Sequence, residues 1–116
     1  MSGGSAVVRM VKDAEPDDPG VSRATSLNDV VHQRVRLGLL AVLHEVRTAD
    51  FSYLRSVLQV TDGNLGQHIE ILRRNGLVEV SKGHEGRRLR TWIAITRAGD
   101  NALRSEIDAL KRLLAL

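Results

Sequence analysis

From Leu27 onward, apolar residues recur at three- and four-residue steps. Leu27, Val30, Val31, Val35, Leu39, Val42, Leu43 and Val46 share one stripe, which predicts a helix to about Arg47 with Ser26 as its N-cap. Asp50 then precedes Phe51, Leu54, Val57 and Leu58, the pattern of a short amphipathic helix behind a capping carboxylate. Thr61 and Asp62 repeat the cap signal ahead of Leu65, Ile69 and Leu72. Asn75-Gly76 closes that run, glycine suiting the left-handed residue past a helix end. The two short helices are joined by about three residues, the spacing of a helix-turn-helix.

The period changes from 3.6 to 2 at Leu77. LVEVSKG and RRLRTWIAIT are rich in β-branched residues, with Val78 and Val80 alternating on one strand and Leu89, Thr91, Ile93 and Ile95 on the other. Gly83 and Gly86 bracket His84-Glu85, which predicts a hairpin loop there. Thr96 caps a last helix whose apolar stripe is Ala98, Ala102, Leu103, Ile107, Leu110 and Leu114. Residues 1 to about 25 have no sustained periodicity and hold Gly3, Gly4, Pro16, Pro19, Gly20 and an acidic DAEPDD patch. They read as a flexible tail. The expected organisation is therefore a tail over residues 1–25 and one domain over 26–116. Within the domain the helix-turn-helix falls at about 50–76, the hairpin at about 77–96 and the C-terminal helix at about 97–115. The fold class is mainly α with a small β-hairpin, in the order α-α-α-β-β-α.

Composition narrows the chemistry. A chain of 116 residues supports one domain with a modest core. It has no cysteine, which removes disulfides, thiolate metal sites and thiol nucleophiles together. No apolar run is long enough for a membrane span or a secretory signal, so the chain is expected in the cytoplasm, with no membrane partner. Phosphate-binding loops, nucleophile elbows and paired catalytic carboxylates are absent, and no enzyme is expected. His32, His44, His68 and His84 are scattered over separate elements, which leaves no metal set, and no cofactor is implied. The net charge is +3, and residues 82–90, with Lys82, Arg87, Arg88, Arg90 and one acid, Glu85, carry +3 by themselves. On charge alone, this hairpin reads equally as a polyanion-binding element and as a solvated surface.

The element order is that of a winged helix, and the residues carry a family resemblance. The run LQVTDGNLGQHIEILRRNGLVEVSKGHEGRRLRTWIAITRAG resembles the small winged-helix regulators of the ArsR and MarR types of prokaryotic transcription factor. DGNL followed by His68-Ile69, NGLVEV leading into the hairpin, and EGRR-x-RT followed by ITRAG carry the likeness, which extends over roughly residues 27–116. It implies a homodimeric, sequence-specific regulator bound to double-stranded DNA and associated with a prokaryotic nucleoid, the C-terminal helix joining two copies through the first helix. Gly66 stands where such regulators often have Ser, and Leu89 where they often have Pro.

Within that expectation the residues divide by position. On a helical wheel Gly63, Gln67, Glu70 and Arg74 point away from the Leu65, Ile69 and Leu72 stripe, with Asn64 and Ile71 on a flank. Asn64 and Gln67 are amides of the kind that pair with an adenine edge, placed in the first turns, where a recognition helix meets bases. Thr61, first of all a cap, lies at a helix N-terminus that can hold a phosphate. The candidate DNA-binding set is Thr61, Gly63, Asn64, Gln67, His68, Arg74, Lys82, Arg87, Arg88 and Arg90. His68 also flanks the buried stripe, and Lys82 and Arg90 read equally as solvated charge. Glu85 would repel a phosphate and is expected to orient an arginine. Leu27, Val31, Leu103, Ile107, Leu110 and Leu114 form the candidate dimer interface, with packing inside one chain as the competing reading. A winged-helix module that contacts protein rather than DNA is the alternative function. Single-stranded nucleic acid is disfavoured, because only Phe51, Tyr53 and Trp92 could stack on bases. A small-molecule effector finds no support in the sequence.

Overall fold

The computed structural model describes residues 27–115; the expectations for the tail and for the Ser26 cap lie outside them. Four helices and three strands follow one another: α1 (Arg34–Val46), β1 (Thr48–Asp50), α2 (Phe51–Leu58), α3 (Asp62–Arg74), β2 (Val78–Glu85), β3 (Arg88–Ile95) and α4 (Arg97–Leu114).

The first helix begins seven residues later than its apolar stripe predicts. Asn28 Oδ1 accepts hydrogen bonds from the backbone N–H of Val30 and Val31, and Gln33 Oε1 accepts from Val35 and Arg36. Short polar side chains thereby offer the backbone a local alternative to the helix, and Gln33 becomes the N-cap. Val31 is nonetheless fully buried, so the apolar pattern reports burial correctly where it misreports helix.

The cap signals of the other helices hold. Asp50 Oδ1 accepts from Tyr53 N, Thr61 Oγ1 from Asn64 N, and Thr96 Oγ1 from Gly99 N. At the end of α3, Gly76 has φ +74°. Leu77 N donates to Leu72 O and Gly76 N to Arg73 O, the paired bonds of a Schellman closure, with the Leu72 and Leu77 side chains buried beneath it.

A three-residue strand, β1, was not visible as a pattern. It pairs antiparallel with β3, Ala49 opposite Ile93, so the sheet order is β1-β3-β2 and β3 is central. The hairpin turn is also tighter than the glycine pair predicts. β2 runs on through His84 and Glu85, leaving Gly86-Arg87 as a two-residue turn with φ +64° at Gly86. Glycine at the first turn position is what a type II′ hairpin requires.

One core unites these elements: Val31, Val35, Leu39, Leu40, Leu43, Leu54, Leu65, Ile69, Leu72, Leu77, Val78, Ile93 and Leu103. The face that α4 turns inward is Gly99, Leu103, Glu106 and Ala109, rotated from the predicted stripe. Ala98, Ile107 and Leu114 lie on the surface. Gly99 sits so close to the Leu77 backbone that a Cβ there would lie 2.2 Å from Leu77 O. Glu106, only 1% exposed, accepts from Asn28 N at 2.8 Å and lies 2.8 Å from His32 Nδ1. These contacts dock the 28–33 turn onto α4. At the opposite end of α1, Asp100 accepts from Arg47 and His44, and these two partners, Arg47 foremost, lower its carboxyl to about 2.

Candidate nucleic-acid interface

α3 presents two chemically distinct faces. Leu65, Ile69 and Leu72 are buried, whereas Thr61, Gly63, Asn64, Gln67 and Arg74 are exposed, as the helical wheel predicts. Among the described residues, the side chains of Asn64 and Gln67 have no intramolecular hydrogen-bonding partner. Each amide therefore offers a donor and an acceptor to whatever approaches. Thr61 spends its hydroxyl oxygen on the helix cap.

The other α3 candidates are committed inside the molecule. Arg74 Nε lies 3.4 Å from Glu70 Oε2, and Arg73 binds the same carboxylate through two bonds of 2.8 and 2.7 Å. These contacts, with Arg73 first, hold the Glu70 carboxyl below its ordinary range. His68 is half-buried, with Nδ1 3.1 Å from Arg36 Nη1. Arg36 itself donates to Val30 O at 2.6 Å, so one guanidinium ties the 28–33 turn of the chain to α3. Burial lowers the His68 pKa, and the charges of Arg36 and Arg34 lower it further. With Nδ1 accepting from a guanidinium, the neutral ring carries its proton on Nε2, as a fixed donor. Nothing in the sequence pointed to Arg36, whose partners Val30 O, Asp29 O and His68 lie six, seven and thirty-two residues away.

The hairpin sorts its basic residues in the same way. Lys82, Arg87 and Arg88 are exposed, and among the described residues none of their side chains is ion-paired. Arg90 differs. Its Nη1 lies 2.5 Å from Asp50 Oδ2 and its Nε 2.6 Å from Glu85 Oε1, with 24% of the side chain exposed. Glu85 thus orients an arginine, as expected, and the arginine is Arg90. Asp50 was legible only as a cap; its second oxygen, bound to Arg90, had no signal in the sequence. Arg88, Leu89, Arg90 and Thr91 line a concavity of about 230 Å³ against Asp50, Phe51 and Ser52 at the start of α2.

Residues 35–114, which hold the capped helix-turn-helix, the outward polar face of α3 and the basic hairpin, match the family described as winged helix DNA-binding domain. The chain belongs to that family. A transcriptional regulator homologue from Pyrococcus horikoshii is similar to this winged helix at 37% identity and a TM-score of 0.70, covering 74% of this chain and 85% of that one. An uncharacterised protein of Methanocaldococcus jannaschii is 37% identical over 79 residues, 68% of this chain and 86% of the other. HlyU from Vibrio cholerae shares the fold at 22% identity and a TM-score of 0.54, over 82% of this chain and 95% of that one. The β2–β3 hairpin is accordingly the wing. No enzyme is named among these relatives, and no described helix is long and apolar enough to cross a membrane.

The candidate dimer residues fall into two groups. Val31 and Leu103, 0% and 4% exposed, belong to the core of the single chain, as the competing reading of intramolecular packing has it. Leu27 and Leu110 are half-buried, while Ile107 and Leu114 are exposed at 39% and 80%.

Proposed function

We propose that this winged helix is a homodimeric transcriptional regulator that reads double-stranded DNA with α3 and grips the duplex backbone with its wing. One observation carries the reading: the unpartnered polar groups, Asn64 and Gln67 on α3 and Lys82, Arg87 and Arg88 on the wing, are of the types that read base edges and bind phosphates respectively. Gly63 lets the first turn of α3 approach the groove closely, and Thr61 presents that turn's N–H groups to a phosphate. His68 supplies an N–H donor at the flank, and Arg74, exposed on the outward face of α3, would leave Glu70 to reach a phosphate.

The second copy docks on the outer face of α4 through Ile107, Leu110 and Leu114, with Leu27 at the edge. A two-fold dimer places two recognition helices about one helical turn of DNA apart, roughly 34–36 Å, and calls for an inverted-repeat site. Selection of bound sequences from a random duplex library tests the proposal. Enrichment of an inverted repeat whose half-sites are centred about one turn apart is expected; recovery of no preferred sequence overturns sequence-specific reading. Within an enriched site, Gln67→Ala should cost about 1–3 kcal/mol at the base it reads and relax preference there.

A further inference from the structure

We propose that Arg90 is a positioning residue of the DNA interface: it fixes the angle of the wing against the helix-turn-helix and leaves the DNA to Lys82, Arg87 and Arg88. The proposal rests on the reading of duplex DNA as partner.

The sheet itself explains why the wing needs an anchor. β1 supports β3 only from Trp92 to Ala94, with Asp50 opposite Trp92 as the last pair. From Thr91 to Arg88 the wing is a two-stranded ribbon, and such ribbons twist and bend readily without a third strand or a packed face. Arg90 lies two residues beyond Trp92 and so on the same face of β3. From there it reaches diagonally back to Asp50 on β1 and diagonally across to Glu85 on β2, whose direct partner is Arg88. One guanidinium therefore links all three strands beyond the point where backbone pairing stops. Asp50 spends its other oxygen on the cap of α2, at 2.8 Å from Tyr53 N, so the wing and the first helix of the helix-turn-helix share a single carboxylate.

Charge separates this role from phosphate binding. Arg90 is flanked by two carboxylates, so the trio carries a net negative charge, and a phosphate approaching Arg90 would meet Asp50 and Glu85 as well. Arg87 at the turn and Arg88 one residue on are free of such pairing.

Asp50→Asn and Glu85→Gln test the role, because each removes a negative charge next to a polyanion site. Asn is as good an N-cap as Asp, so α2 stays capped. If the trio were only charge near DNA, both variants would bind duplex more tightly. Positioning predicts the reverse: each binds roughly three- to tenfold more weakly, the scale of coupling within a shared ion-pair network, and Asp50→Asn combined with Arg90→Gln binds no more weakly than the worse single variant. Amide order parameters measured without DNA give an independent reading. At Gly86, Arg87 and Arg88 they should fall in both variants from values near 0.85 towards about 0.6. Wild-type order parameters in both variants overturn the anchor, and tighter or unchanged DNA binding in both overturns its role at the interface. A wild-type protein that binds no duplex would instead overturn the DNA reading, while the order parameters still decide whether Arg90 holds the wing.

Discussion

Two glycines in helices should respond to alanine with opposite signs. Gly99, in the first turn of α4, faces the Leu77 carbonyl, and a Cβ there would lie 2.2 Å from that oxygen and 2.8 Å from Ile95 Cγ1. An ordinary C···O contact is about 3.3 Å, so the overlap with backbone is about 1 Å. The same oxygen accepts a hydrogen bond from Thr96 N at 3.1 Å, which prevents it from yielding without loss. Overpacking costs about 1–3 kcal/mol and the strained hydrogen bond about 1 more, while the helix preference of alanine returns up to about 1. Gly99→Ala should therefore destabilise by about 2 kcal/mol, a fall in Tm of about 8–16 °C for a domain of this size. Gly66 is the control. It lies inside α3, and a Cβ there meets nothing within 4 Å, so Gly66→Ala should stabilise by about 0.5–1 kcal/mol. Thermal unfolding followed by circular dichroism measures both. An unchanged or raised Tm for Gly99→Ala would refute the proposed close approach of α4 to Leu77. A lowered Tm for Gly66→Ala would refute the claim that its Cβ has room.

Glu106→Ala leaves the partly buried Asn28 N without its acceptor and should cost about 1–2 kcal/mol, with hydrogen exchange rising first over residues 28–33; uniform exchange would argue against the docking role. His68 should titrate below the ordinary histidine value of about 6.5, read by NMR. Because its folded-state pKa is depressed, its contribution to stability is complete above about pH 6.5 and is lost as pH falls through the folded value. Arg36→Met should raise that midpoint, and an unchanged midpoint would remove Arg36 as a cause. Ile107→Glu with Leu114→Glu places charges on exposed positions and should convert a dimer to a monomer by light scattering with little change in Tm. A wild-type mass of one chain at every concentration up to that used for DNA binding would contradict the dimer.

What the sequence disclosed was whatever depends on neighbours along the chain. Cap residues Asp50, Thr61 and Thr96 declared themselves because each bonds an N–H three residues ahead, and Gly76 because a left-handed closure selects glycine. The outward face of α3 followed from helical period alone. Contacts that span the chain were silent: β1 is too short to show alternation, and Asp50 paired with Arg90 looks identical in sequence to Asp50 as a cap alone. Glu106 is the sharper case. A carboxylate reads as surface, yet it is buried because Asn28, 78 residues away, brings it a backbone donor. Its burial rotates the inward face of α4 away from Ile107 and Leu114. The late start of α1 has the same kind of origin, since Asn28 and Gln33 bond the backbone before the helix can.

The most direct measurement is the salt dependence of duplex binding by the wild-type protein and by Arg87→Ala combined with Arg88→Ala. With both arginines on phosphates, the wild type should show a steep negative slope of log Kobs against log salt. The double variant should lose affinity for all duplexes alike, its slope shallower by about 1.8, at about 0.9 per phosphate contact. An undiminished slope, or a wild-type protein whose binding to duplex DNA does not depend on salt, would contradict the wing's place on the DNA backbone.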